Sequence, residues 1–122
     1  MKIHHSLTAV LGTTMMLALI GCAPSAPSSN AFAGSWGLEE AGEPSLTISP
    51  DGSFNGTDGC NSLVGHGKIS EAEFEFGDFA LTRMECIGVD TWLSGAGFAK
   101  VSGDEMTVFD TDRTEIGTLR KR

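Results

Sequence analysis

Apolar residues in this chain form one long run and then short pulses. Residues 7–20 are largely apolar and carry no charge, behind a polar start containing Lys2, His4 and His5. The run is shorter than the ~20 residues that cross a bilayer core. It matches the central region of a secretory signal. From Ser35 on, the apolar positions come in pulses set apart by Gly, Asp and Asn. Trp36-Gly37-Leu38 is the first. Leu46 and Ile48 then alternate with Thr47 and Ser49. Pro50-Asp51-Gly52 predicts a turn, because proline presets φ and glycine accepts a positive one. Ser53-Phe54-Asn55 returns from it. Phe74 and Phe76 alternate with Glu73 and Glu75, the period of a half-buried strand, and Phe79 and Leu81 continue on another. Met106, Val108, Ile116 and Thr118 predict a last hairpin around residues 110–113.

One stretch departs from this pattern. Val89, Trp92, Leu93, Ala96 and Ala99 fall at helical spacing, with Asp90 in the N-cap position and Gly103 beyond the end. Gly95 and Gly97 weaken such a helix by ~1 kcal/mol each relative to alanine, so it should be short and held by packing. The expected fold class is mainly β (α+β), a small antiparallel sheet or barrel with one short helix.

Composition narrows the options. At 122 residues there is room for one small domain. A hydrophobic fraction of 40% fits neither a multi-span membrane protein nor a wholly disordered chain. The net charge of −8 argues against nucleic acid as a partner, since phosphate binding needs a clustered basic surface. The basic residues cluster only at Arg120-Lys121-Arg122. The 3 cysteines are an odd number, so at least one cannot pair within the chain.

The first cysteine stands in Leu19-Ile20-Gly21-Cys22. This resembles the bacterial lipobox, in which the cysteine thiol takes a diacylglycerol and becomes the new N-terminus. The resemblance implies a signal peptide over residues 1–21 and a lipid on Cys22. Two or more acyl chains hold a protein stably on a bilayer, each buried CH₂ contributing about 0.8 kcal/mol. Residues 22–33, small, polar and rich in proline, read as the anchor and a flexible tether. A domain over 34–122 follows. The expected place is the bacterial cell envelope, on the outer face of the cell membrane or on the outer membrane of a two-membrane organism.

The other cysteines lie in two motifs. These are Gly59-Cys60-Asn61-Ser62-Leu63-Val64-Gly65 and Thr82-Arg83-Met84-Glu85-Cys86. In this order and behind a lipobox, they resemble the META domain, the family of HslJ-like lipoproteins, over residues 32–119. The family commonly has an aromatic where Leu63 stands and a tyrosine near Gly67, and this chain has no tyrosine. The resemblance implies a compact β-rich domain with one helix, the Thr82 to Cys86 motif forming a strand just before it. It also implies roles in the envelope such as heat-shock response and drug tolerance. It supplies no catalytic mechanism.

Each chemical candidate has a plainer alternative. In an exported domain Cys60 and Cys86 are expected to form a disulfide. Two separate buried thiols, or a catalytic thiol served by His66, remain the alternatives. Metal binding is not expected: zinc needs four donors, and neither the 51–58 run nor Asp110 with Asp112 has EF-hand spacing. Hairpin turns account for both. Asn61 should bond its own loop's backbone or adopt a left-handed conformation. Arg83 should be solvated on an outward strand face, with Glu85 on the same face as its acidic partner if buried. Trp36 and Trp92 should serve the core.

The functional expectation is a non-enzymatic, lipid-anchored monomer. It would have no cofactor beyond the lipid on Cys22, and would act on an envelope protein or a small molecule entering the envelope. The alternative is a small β-barrel inhibitor of an envelope protease, inserting residues 25–33 into a cleft.

Overall fold

The structure is a computed structural model and describes residues 31–70 and 72–122. The expected signal segment, the Cys22 expected to carry the lipid and the expected tether up to residue 30 lie outside the described residues. Ten strands follow one another among the described residues: β1 (Gly34–Gly37), β2 (Ser45–Ile48), β3 (Ser53–Thr57), β4 (Ser62–His66), β5 (Lys68–Ser70), β6 (Glu73–Glu75), β7 (Phe79–Leu81), β8 (Phe98–Ser102), β9 (Glu105–Phe109) and β10 (Glu115–Arg120). They form two antiparallel sheets in the orders β1-β2-β3-β4-β7 and β10-β9-β8-β6-β5.

The two sheets are parts of one bent meander. Only Gly67 separates β4 from β5, and a Cβ there would run into the ring of Phe74. Glycine therefore lets one strand turn from the first sheet into the second. Gly77 bends β6 into β7 through its left-handed backbone, at φ +63°, where a Cβ would meet no neighbour. The bent strands pair along both halves, β5 with β6 and β4 with β7. At the far side, Trp36 bridges to Lys121, and Arg122 N donates to Ser35 O at 2.9 Å. The basic triplet at the end of the sequence thus joins β1 to β10. Lys121 Nζ stands 5.5 Å from the centre of the Trp36 ring, and Arg122 pairs with Glu39 at 2.9 Å. The result is barrel-like, as the strand pattern predicts.

Alternation fills the interior. Leu46, Ile48, Phe54, Leu63, Phe74, Met106, Val108 and Leu119 are buried from successive strands, while Thr47 and Asn55 between them are exposed. Phe74 and Phe76 pack edge-to-face at 4.9 Å, and Phe54 stands 5.3 Å from Phe76 and 5.7 Å from Phe79. Gly65 makes room for this cluster: a Cβ there would lie 2.6 Å from Phe54 Cζ and 2.7 Å from Phe79 Cβ. Phe32, read from the sequence as the end of the tether, is 2% exposed and belongs to the core. Its carbonyl accepts the Trp36 indole N–H at 2.9 Å.

The predicted helix over 89–99 is reduced to one 3-10 turn, Trp92–Gly95. Ser94 N bonds Thr91 O and Ala96 N bonds Leu93 O, each at 3.1 Å, and Ala96 is already extended at φ −60°, ψ 127°. Gly97 then gives its N–H to Phe109 O at 2.7 Å and its carbonyl to Phe76 N at 3.0 Å. Strand pairing thus takes the groups a helix would use, and Ala99 becomes part of β8. Thr91, not Asp90, precedes the turn and makes no capping bond. Gly103, at φ +59°, closes the β8–β9 turn instead of ending a helix. Trp92 is partly buried, and a Cβ on Gly117 would lie 2.7 Å from its indole.

The last hairpin turns where expected. Asp110 Oδ1 accepts from Asp112 N and Thr114 N, each at 2.9 Å, and Arg113 is left-handed at φ +64°. That geometry brings the Arg113 guanidinium 4.1 Å from the centre of the Phe98 ring. Both of its terminal nitrogens donate to the Glu73 carboxylate at 3.1 Å. Nothing in the sequence pairs these two residues, which are 40 apart.

The Arg113 bonds hold the Glu73 carboxyl below the usual carboxylate range. A lowered acid contributes stability above its unfolded value, about pH 4.3, that is lost as pH falls through the folded one. The wild-type melting temperature should therefore fall in that acid window, and Glu73→Gln should flatten part of the fall. Thermal unfolding from pH 2 to 7 checks this; identical acid profiles would refute it.

Candidate functional site

Both cysteine motifs meet at one corner of the barrel, between the β3–β4 turn and the segment after β7. The turn is organised by Asp58, which is fully buried. Its Oδ1 accepts Cys60 N at 2.8 Å and also Asn61 N. Asp58 N donates to Asn61 O at 3.0 Å, and Gly59 N to Thr57 Oγ1 at 3.1 Å. Gly59 sits at φ +99°, a conformation a side chain would strain. Reading the 51–58 run as a hairpin turn left the burial of Asp58 unseen. An aspartate two residues before a cysteine and next to glycine is the signal, since Asx side chains bond backbone two residues on.

Asn61 is 7% exposed and reaches across the corner. Its Oδ1 accepts Met84 N at 2.6 Å and Thr82 Oγ1 at 3.1 Å, while its Nδ2 donates to Met84 O at 3.1 Å. Thr82 Oγ1 in turn accepts Ser62 N at 2.9 Å. The amide bonds the opposite segment, not its own loop, and among the described residues only Arg113 combines a side chain with positive φ. Cys60 and Cys86 are bonded to one another, 5.9 Å apart at Cα. The motif residues Gly59, Cys60, Asn61, Thr82, Met84 and Cys86 therefore form one clasp. Gly65 lies apart from it, under Phe54.

The Thr82 to Cys86 motif is not a strand, because β7 ends at Leu81. Of its inward backbone groups, Thr82 N still reaches Ser62 O of β4 at 3.2 Å, while both Met84 groups go to the Asn61 amide and not to a neighbouring strand. Arg83 and Glu85 are exposed, and neither takes part in an ion pair among the described residues. With its sulfur in a disulfide, Cys60 offers no thiolate nucleophile. His66 lies at the other end of β4 from Asn61, roughly 16 Å along the strand at ~3.3 Å per residue.

The clasp displays apolar surface. Its backbone is gripped, but the Met84 side chain is 61% exposed, and Ile87 in the next turn is fully exposed. Together with Asn61, Glu85, Val89 and Thr91 they line a cavity of about 380 Å³. A second groove of about 230 Å³ lies between Leu38, Pro44 and Leu119.

The family model of the META domain matches residues 32–122, the whole barrel with the clasp. The chain belongs to the META domain family. Two solved structures share the META fold of this chain. One is an NMR structure of a Burkholderia xenovorans protein, 16% identical, with a TM-score of 0.55, covering 93% of this chain and 99% of that one. The other, also by NMR, is 20% identical with a TM-score of 0.53, covering 74% of this chain and 90% of that one. At these identities the likeness concerns the fold alone. No curated protein matches the chain.

Asn61→Ala should cost about 2–4 kcal/mol, since it strips a buried amide's bonds and leaves both Met84 backbone groups unpaired. Removing the disulfide as Cys60→Ser/Cys86→Ser should cost roughly 3.5 kcal/mol. Both changes release the same segment, so the triple variant should depart from additivity by about 0.5–3 kcal/mol. Urea unfolding of the set measures this. Strict additivity would show that amide and disulfide are not one clasp.

Proposed function

We propose that this META domain is a lipid-anchored, non-enzymatic binding protein of the bacterial envelope, of the HslJ-like kind. The observation that carries the reading is what the two motifs do with their chemistry. The sulfurs that could have been nucleophiles bond each other, and Asn61 and Thr82 bond one another and the facing backbone. Asp58 Oδ1 takes the Cys60 and Asn61 N–H groups, while Oδ2 is buried without a partner among the described residues. What the clasp leaves to solvent is a shaped apolar surface with charged neighbours, which suits binding. A disulfide fits an exported protein, and the Leu19-Ile20-Gly21-Cys22 pattern supplies the anchor. Residues 23–30, which precede the folded barrel, reach at most ~30 Å when fully extended, so the partner would be an envelope protein or a small molecule near the membrane. Work under heat or drug stress is the setting that the family resemblance implies.

The protease-inhibitor alternative would need residues 25–33 free to enter a cleft. The burial of Phe32 removes the end of that segment from such a role.

Mass spectrometry of the membrane fraction should find a diacylglycerol thioether on Cys22, and Cys22→Ala should move the protein to the soluble fraction. A soluble, unmodified wild type would overturn the anchor. Alkylation of the unreduced protein should label neither Cys60 nor Cys86. Labelling of either would reopen thiol chemistry.

A further inference from the structure

The barrel has a seam. β8 pairs with β6, but β7, the continuation of β6, has β4 as its only partner strand. Thr82 N donates to Ser62 O at 3.2 Å and Met84 N to Asn61 Oδ1 at 2.6 Å. Antiparallel alternation then turns the backbone of Ala80, Thr82 and Met84 toward β4, and that of Phe79, Leu81 and Arg83 outward. No described residue outside the β4–β7 ladder bonds the backbone of Phe79, Leu81 or Arg83. The other margins are managed: β1 and β10 are bridged at Trp36 and Lys121, and β5, as short as β7, carries Lys68. β7 reads Phe-Ala-Leu, with none of the charges, prolines or bulges that usually blunt an open edge.

The apolar surface gathers at the same place. Val64, 57% exposed, stands opposite the exposed Ala80. Met84 and Ile87 extend the strip around the cavity beyond Arg83. Of the large exposed apolar side chains among the described residues, only Leu38 lies elsewhere. Acidic residues bracket the strip: Asp78 just before β7, then Glu85 and Asp90 after it, against Arg83 alone.

We propose that the β7 edge, from Phe79 to Arg83, is a strand-addition site for an extended peptide of a partner protein, with alternating apolar residues and basic flanks. Main-chain bonds to the outward groups of Phe79, Leu81 and Arg83 give affinity, and the Val64–Met84–Ile87 strip takes alternate side chains. The acidic bracket selects the flanks. It also disfavours a second copy, since both chains would bring a net charge of −8. This deepens the binding role proposed above and rests on it. Its test concerns the folded barrel, so it fails or succeeds separately from the lipid on Cys22.

The test is a titration of the full chain, ¹⁵N-labelled in neutral detergent micelles, with the synthetic peptide Lys-Val-Thr-Val-Thr-Val-Lys. The Phe79, Leu81 and Arg83 amides should shift and their hydrogen exchange slow by about tenfold or more. N-methylation of the peptide along its pairing edge should abolish this. Exchanging its lysines for glutamates should weaken binding by about tenfold at low salt. Met84→Lys should weaken binding while Leu38→Lys leaves it unchanged, and near-ultraviolet circular dichroism verifies that both variants are folded. Shifts confined to other amides, or none at millimolar peptide, would overturn the proposal. So would protection of these amides by micelles alone, which would make the occupant lipid, or a dimer by sedimentation without peptide.

Discussion

Strands of three to six residues, each apolar on one side, cannot bury that side alone. They must wrap around a shared interior, and wrapping requires strands that change sheets. In this META domain the requirement falls on Gly67, where the Phe74 ring fills the space a side chain would need. The bent β4–β5 strand carries the meander from one sheet into the other. The bent β6–β7 strand follows it, and the first and last strands then meet at Trp36 and Lys121. The aromatic cluster of Phe54, Phe74, Phe76 and Phe79 lies under this bend, so packing and curvature are one constraint.

Closure is incomplete at the seam where β7 parts from β8. The protein deals with it chemically rather than by adding a strand. Asp58 shapes the turn, Asn61 grips the backbone of Met84, and the disulfide joins the same two segments. Holding an irregular segment with side-chain amides leaves its own side chains free to face solvent. That is how Met84 and Ile87 come to be exposed beside a rigid, covalently tied corner. A preorganised surface of this kind loses little entropy when it binds.

Much of the fold was legible along the chain. Period-2 alternation located the pulses at Leu46, Phe54, Phe74 and Met106, because a half-buried strand leaves no other pattern. The two cysteine motifs were visible too, and the META resemblance rests on them. The helix was misread because Leu93, Ala96 and Ala99 do all face inward, but from a 3-10 turn, a connector and a strand. Spacing alone does not separate these when Gly97 is free to join the β6 and β9 backbones. The Thr82 to Cys86 motif was expected as a strand from the family resemblance; beyond Thr82 its Met84 backbone is held by the Asn61 side chain, which no period reveals.

By itself the sequence determined a β-rich domain with two cysteine motifs that resemble the META domain, and made a Cys60–Cys86 bond the expected pairing, since those features depend on local pattern and residue type. Tertiary structure decided which groups meet across the chain. It seated Arg113 on Phe98 and Glu73, placed Asp58 out of water, and turned Asn61 toward Met84 instead of its own loop. It also decided that β7 keeps an open edge. These depend on long-range pairings, β4 with β7 and β6 with β8, that no local stretch encodes.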